Sequence, residues 1–87
     1  MDYSNITELY LSTKELTKLP DDINKYINLK KLNCFGNHIT SLDNLPPGLI
    51  DLDCYVNPLI YDFVPTLGNI RKYNTKNWIM IYILYFL

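Results

Sequence analysis

The chain contains no alanine and no glutamine. Asn, Ile, Leu, Tyr and Lys are abundant in their place, which reads as the bias of an AT-rich coding sequence and not as a demand of the fold. Positive charge is also in short supply. Eight Lys and Arg stand against nine Asp and Glu, a net charge of −1, with both signs spread along the chain. A basic stripe that would neutralise phosphates is missing, so nucleic acid is excluded as a first reading. The start, MDYSNITEL, has neither a basic opening nor an apolar core, so it does not read as a signal peptide. The Asn5-Ile6-Thr7 sequon then carries no meaning, and an intracellular, reducing location, the cytoplasm (the host's if the chain is viral), is the default expectation. Eighty-seven residues allow one small domain, which buries only roughly 60% of the surface of its unfolded chain.

What is present is a repeat. LKKLNCFGNHI at 29–39 and LIDLDCYVNPL at 49–59 share the spacing L-x-x-L-x-C-x-x-N-x-[IL]. Ile6, Leu9, Leu11, Leu16 and Leu19 fit the same ruler, with Lys14 at the Asn position. Ile70, Tyr73 and Thr75 fit it poorly, and Trp78 falls where Asn belongs. Starts at 6, 29, 49 and 70 give periods of 23, 20 and 21, inside the range of short repeat units.

This pattern resembles the leucine-rich repeat family. Leu19-Pro20 and Leu45-Pro46 make it similar to the short LP-containing repeats of giant amoebal virus proteins and bacterial effectors. The resemblance implies an α/β fold, a short right-handed solenoid of about four coils with a parallel sheet on its concave face. The expected organisation is a solenoid over 1–77 and a hydrophobic capping strand or tail over 78–87. Each L-x-L is a short strand whose two apolar residues point the same way. No single coil buries its own apolar face, so burial needs neighbours. Asn37 and Asn57 sit where the chain leaves the strand, and an amide side chain there can bridge backbone groups of its own coil and the next. The return limbs differ. LPDDINKYIN, with Asp21 and Asp22 as capping candidates and Ile23 and Ile27 four apart, predicts a short helix. LDNLPPGL and VPTLGN predict extended or turned chain.

Chemistry-bearing residues are few. Cys34 and Cys54 occupy an inward repeat position, where Cys acts as a small apolar filler. Neighbouring strands about 4.8 Å apart also leave a disulfide open. Two thiols and a single histidine, His38, fall short of the four ligands of a zinc site. His38 has no nucleophile and orienting group patterned around it, and Asp51 and Asp53 read as ordinary charge on a solvated face. No catalytic residue, metal or cofactor is expected.

The family resemblance places partner binding on the concave face. Its first column is Glu8, Lys31, Asp51 and Lys72, alternating in sign and suited to pairing with itself. The second is Tyr10, Asn33, Asp53 and Asn74, and the third is Ser12, Phe35, Tyr55 and Lys76. Tyr10, Phe35 and Tyr55, flanked by Asn33 and Asp53, are the expected anchors, since aromatics are enriched at interaction hot spots. The last ten residues, WIMIYILYFL, carry no charge. As a helix they reach about 15 Å, half a bilayer core, so a membrane span is not expected. A capping strand, self-association through Trp78–Leu87 and the stub of a longer array stay open. The expected function is a non-catalytic protein–protein interaction scaffold with an unidentified protein as partner. The alternative is a fragment of a longer repeat protein, or the substrate-recognition part of a multi-chain enzyme.

Overall fold

A computed structural model describes the backbone of residues 2–86 and the side chains of residues 2–76. The architecture is a small α/β arrangement: a three-stranded parallel sheet and one helix. Strands β1 (Glu8–Tyr10), β2 (Lys31–Asn33) and β3 (Asp51–Asp53) lie side by side in chain order. Glu8, Lys31 and Asp51 are in register, as are Leu9, Leu32 and Leu52, and Tyr10, Asn33 and Asp53. The middle column points into the core and the outer two point away, as the twofold alternation of a strand requires. Leu32, between two neighbours, is fully buried, whereas Leu9 and Leu52 at the sheet edges are half-buried. Pairing continues past the strand ends: the amides of Leu11 and Thr13 donate to Asn33 and Phe35, and those of Cys34 and Gly36 to Asp53 and Tyr55.

The core is the repeated apolar set. Leu19, Ile23, Tyr26, Leu29, Leu32, Cys34, Ile39, Leu42, Leu49, Cys54 and Ile70 form one cluster. Burying a Leu or Ile completely contributes about 1.5–3 kcal/mol, so Leu29, Leu32, Ile39, Leu42 and Ile70, all at 0% exposure, are the main apolar contributors.

The turns out of the three strands share one backbone conformation. Thr13, Gly36 and Val56, each directly before the Asn position or its Lys14 equivalent, have φ of 53°, 68° and 58°. Only glycine adopts this left-handed region without steric cost, and β-branched residues are the worst suited to it. The outward chain bend therefore strains Thr13 and Val56 and leaves Gly36 relaxed.

Asn37 and Asn57 hold these bends. The Asn37 carboxamide oxygen accepts from the amides of Lys14 and Leu16, both at 3.0 Å, while its Nδ2 donates to the carbonyls of Leu11 (2.8 Å) and Cys34 (3.0 Å). Asn57 repeats the pattern one turn on, accepting from the Ile39 amide at 3.0 Å and donating to Cys34 (2.9 Å) and Cys54 (3.1 Å). The link runs to the preceding turn, not the following one. Lys14 lacks the carboxamide, so the Leu11 carbonyl takes a side-chain amide from Asn37 alone, where the Cys34 carbonyl takes two.

Of the first two return limbs, one differs from expectation. LPDDINKYIN forms only a 3-10 turn, Ile23–Lys25. With three residues per turn, Ile23 and Tyr26 share the buried side and Ile27 is turned out. Asp22 makes no side-chain cap and instead accepts from the Tyr3 hydroxyl at 2.6 Å. Asp21 lies 3.0 Å from Lys18 in an exposed ion pair of little stabilising worth. LDNLPPGL is turned and extended, as Pro46, Pro47 and Gly48 dictate.

The larger correction concerns the fourth copy. The chain from 67 onward does not add a strand: it is helix α1, Leu67–Phe86. Lys72, Asn74 and Lys76 therefore do not extend the columns of the sheet. VPTLGN is the helix start, with Thr66 Oγ1 accepting the Asn69 amide at 3.2 Å in the manner of an N-cap. No Asn stands at position 78 to hold another bend, and no Pro follows position 65. The backbone through Phe86 is helical, so the capping-strand alternative for 78–87 is not realised. The contacts of Trp78–Leu87, and with them self-association through that segment, lie outside the described residues. No helix among the described residues is long and apolar enough to cross a membrane.

Two stability measurements follow. Asn37→Ala strips partners from buried backbone groups and is expected to cost roughly 1–3 kcal/mol in urea unfolding, with the less buried Asn57→Ala losing no more than Asn37→Ala. Val56→Gly relieves the left-handed strain and is expected to raise stability by about 0.5–1 kcal/mol. A loss at Val56→Gly would show that the strain relieved is smaller than the entropy that glycine adds to the unfolded chain.

Candidate interaction face

The outer face of the sheet carries the residues that the repeat pattern singled out. Tyr10, Asn33 and Asp53 form one row across the three strands. Phe35 and Tyr55 follow two residues after Asn33 and Asp53, on the same side of the extended chain. The three rings are exposed at 52% for Tyr10, 39% for Phe35 and 71% for Tyr55. Phe35 and Tyr55 do not stack: the ring pairs among the described residues are Tyr3 with Tyr26, and Tyr61, Phe63 and Tyr73 with one another. The cross-strand aromatic pair that would have accounted for these rings structurally is not formed.

Asn33 and Asp53 have a local task as well. The Phe35 amide donates to Asn33 Oδ1 at 3.0 Å, and the Tyr55 amide donates to Asp53 Oδ1 at 3.2 Å. These Asx turns set the direction in which Phe35 and Tyr55 leave the sheet. The two polar residues thus position the two rings, a link that the choice of Asn and Asp at matched positions could have signalled.

The alternating charge column does not pair with itself. No ion pair joins Glu8, Lys31 and Asp51; among the described residues only Lys18 and Asp21 form one. Glu8 instead accepts from the Tyr10 hydroxyl at 2.8 Å, and the Lys31 ammonium sits 5.8 Å from the centre of the Tyr10 ring, within reach of a cation–π attraction. Bonding to Glu8 and partial burial hold the Tyr10 hydroxyl above its ordinary pKa. Tyr10 is therefore clamped from both sides, and the face carries three carboxylates, Glu8, Asp51 and Asp53, against the single Lys31.

The cysteines are not part of this face. Cys34 and Cys54 are free, buried thiols. Burial, reinforced by Cys54 and Asp53, pushes the Cys34 thiol from 9.0 up to about 12, and burial followed by Asp53 raises Cys54. A thiol held protonated is neither a nucleophile nor a metal ligand near neutral pH. His38 is exposed, and among the described residues no group of three or more His, Cys, Asp or Glu is placed to hold a metal.

A second feature was not foreseen. Helix α1 and the chain before it cover the return limb of the second repeat with side chains. Tyr61 Oη accepts the Leu42 amide at 2.8 Å, and Asn74 Nδ2 donates to the Leu42 carbonyl at 3.0 Å. The Arg71 guanidinium donates to the Pro46 and Leu49 carbonyls at 2.8 and 3.3 Å. Backbone groups that another turn of chain would have met are thereby satisfied. The sequence held no pattern for this, because Tyr61, Arg71 and Asn74 stand at positions that the repeat spacing does not mark.

No family model, curated protein or solved structure matches the chain.

The thiol environment makes a pH prediction. The folded pKa of Cys34 lies above its unfolded value, so its protonated form contributes stability that is complete below about pH 9 and lost as pH rises toward 12. Unfolding free energy measured across that window should fall with pH, and less steeply in Cys34→Val. At pH 8, a thiol reagent should modify neither cysteine until denaturant is added. Prompt labelling of Cys34 in the native chain would contradict the burial described.

Proposed function

We propose that the chain is a right-handed, leucine-rich-repeat-type solenoid that acts as a non-catalytic protein-binding module through the outer face of its sheet. The support is the in-register stacking of Leu9, Leu32 and Leu52 together with a recurring Asn that links each turn to the one before. The observation that carries the functional reading is the row of exposed rings, Tyr10, Phe35 and Tyr55. None is engaged by another ring, two are aimed by Asx turns and one is clamped by Glu8 and Lys31. Rigid aromatics on a fixed sheet lose little entropy on binding, and such rings supply much of the energy at interaction hot spots. The carboxylates around them favour a partner with basic residues beside its apolar anchor. An intracellular setting fits two thiols that remain unpaired.

A peptide-display selection against the immobilised chain tests this reading. The selected peptides should combine apolar anchors with Lys or Arg. They should lose at least tenfold in affinity for Y10A/F35A/Y55A, a variant that circular dichroism should show folded, since all three rings are exposed. Binders that ignore the triple substitution would move the interaction elsewhere on the molecule. A reproducible failure to select any binder would remove the binding reading.

A further inference from the structure

Among the described residues, no strand pairs with the β3 edge of the sheet, a surface that the face does not include. In a parallel strand, alternate residues direct their backbone groups to opposite neighbours. The Asp51 amide donates to Lys30 at 3.0 Å and the Asp53 carbonyl accepts from Cys34 at 2.8 Å, so both face β2. Leu52 must direct its N–H and C=O the other way, and the amides of Cys54 and Val56 follow with the same parity. Among the described residues no group bonds these amides. The Cys54 carbonyl, by contrast, is already taken by Asn57. Leu52 is half-buried where its equivalent Leu32 is fully buried, which marks the missing neighbour.

The occupant can be specified from charge. The register column runs Glu8, Lys31, Asp51, and like charges directly opposite one another destabilise a pairing. A strand beside Asp51 should therefore carry a cation at that register, an apolar residue beside Leu52 and a cation or neutral polar group beside Asp53. A second copy of this chain offering its β1 would set Glu8 against Asp51, which disfavours self-stacking in the way edge strands resist aggregation. We propose that the β3 edge binds an extended basic–apolar–polar segment of a partner protein as a fourth parallel strand. This mode of strand addition uses a surface separate from the aromatic face.

The sequence that the structure shows docked in this way is β2 itself, Lys31-Leu32-Asn33, against β1 and β3. The probe is accordingly a synthetic peptide of residues 29–37 carrying C34S, titrated into the full chain while amide hydrogen exchange is followed by NMR. At saturation the amides of Leu52, Cys54 and Val56 should exchange at least tenfold more slowly. A peptide also carrying K31E should bind at least tenfold more weakly, and Asp51→Lys in the protein should restore its binding. Y10A/F35A/Y55A should bind the original peptide unchanged, so failure here and failure of the face are separable. Equal binding of both peptides, protection confined to α1, or no protection at millimolar peptide would overturn the proposal. Leu52 protection that rises with protein concentration in the absence of peptide would overturn it in favour of a second copy.

Discussion

The Cys34 carbonyl accepts two side-chain amides, Asn37 Nδ2 at 3.0 Å and Asn57 Nδ2 at 2.9 Å. The stacking of the turns depends on this point. A carbonyl oxygen has two lone pairs, and here both are used by the same residue type arriving from successive turns. The resulting chain runs from Leu11 through Asn37, Cys34 and Asn57 to Cys54. It fixes the distance between turns and holds the left-handed bend at Gly36 and Val56. It also satisfies groups that the core would otherwise bury bare, each of which would cost about 1–3 kcal/mol. The small side chain of Cys at 34 and 54 leaves room for the carboxamides to approach the backbone while still filling the core.

The two ends of the stack are closed by different means. At the first turn, Tyr3 packs edge-on against Tyr26 with ring centres 4.9 Å apart and donates to Asp22, while Asn28 Nδ2 donates to the Ser4 carbonyl at 2.8 Å. At the other end, Tyr61, Arg71 and Asn74 bond the second return limb and its exit, at backbone groups of Leu42, Pro46 and Leu49, and Ile70 completes the core. Both closures cover the return limbs and leave the strand edges alone. Such a stack is sealed beneath, and among the described residues no strand pairs with its β3 edge and no ring stacks on its aromatic face.

Much of the interior was legible in the residues. The spacing of Leu29, Leu32 and Cys34 against Leu49, Leu52 and Cys54 is a translation, and a translated apolar pattern packs only by stacking. The exposed positions of Tyr10, Phe35 and Tyr55 follow from the same alternation. The fate of the chain after Pro65 was not legible. Ile70 fits both a fourth strand and the buried side of a helix, and it is buried here as part of α1. Thr66 decides between them by capping, an act visible only once its neighbours are placed. The 3-10 turn at Ile23–Lys25 is hidden in the sequence for a similar reason: Asp22 is drawn away from a capping role by Tyr3, nineteen residues earlier.

The sequence by itself determined the repeat length, the inward and outward positions, and a hydrogen-bonding Asn at the second and third bends. These are local and periodic properties, set by strand alternation and by the left-handed turn. Tertiary structure alone decided which turn each Asn reaches back to, which charges stay unpaired, and how the last turn is sealed. Those outcomes depend on distances between segments some twenty to thirty residues apart, such as Asn74 and Leu42, and no local spacing encodes them.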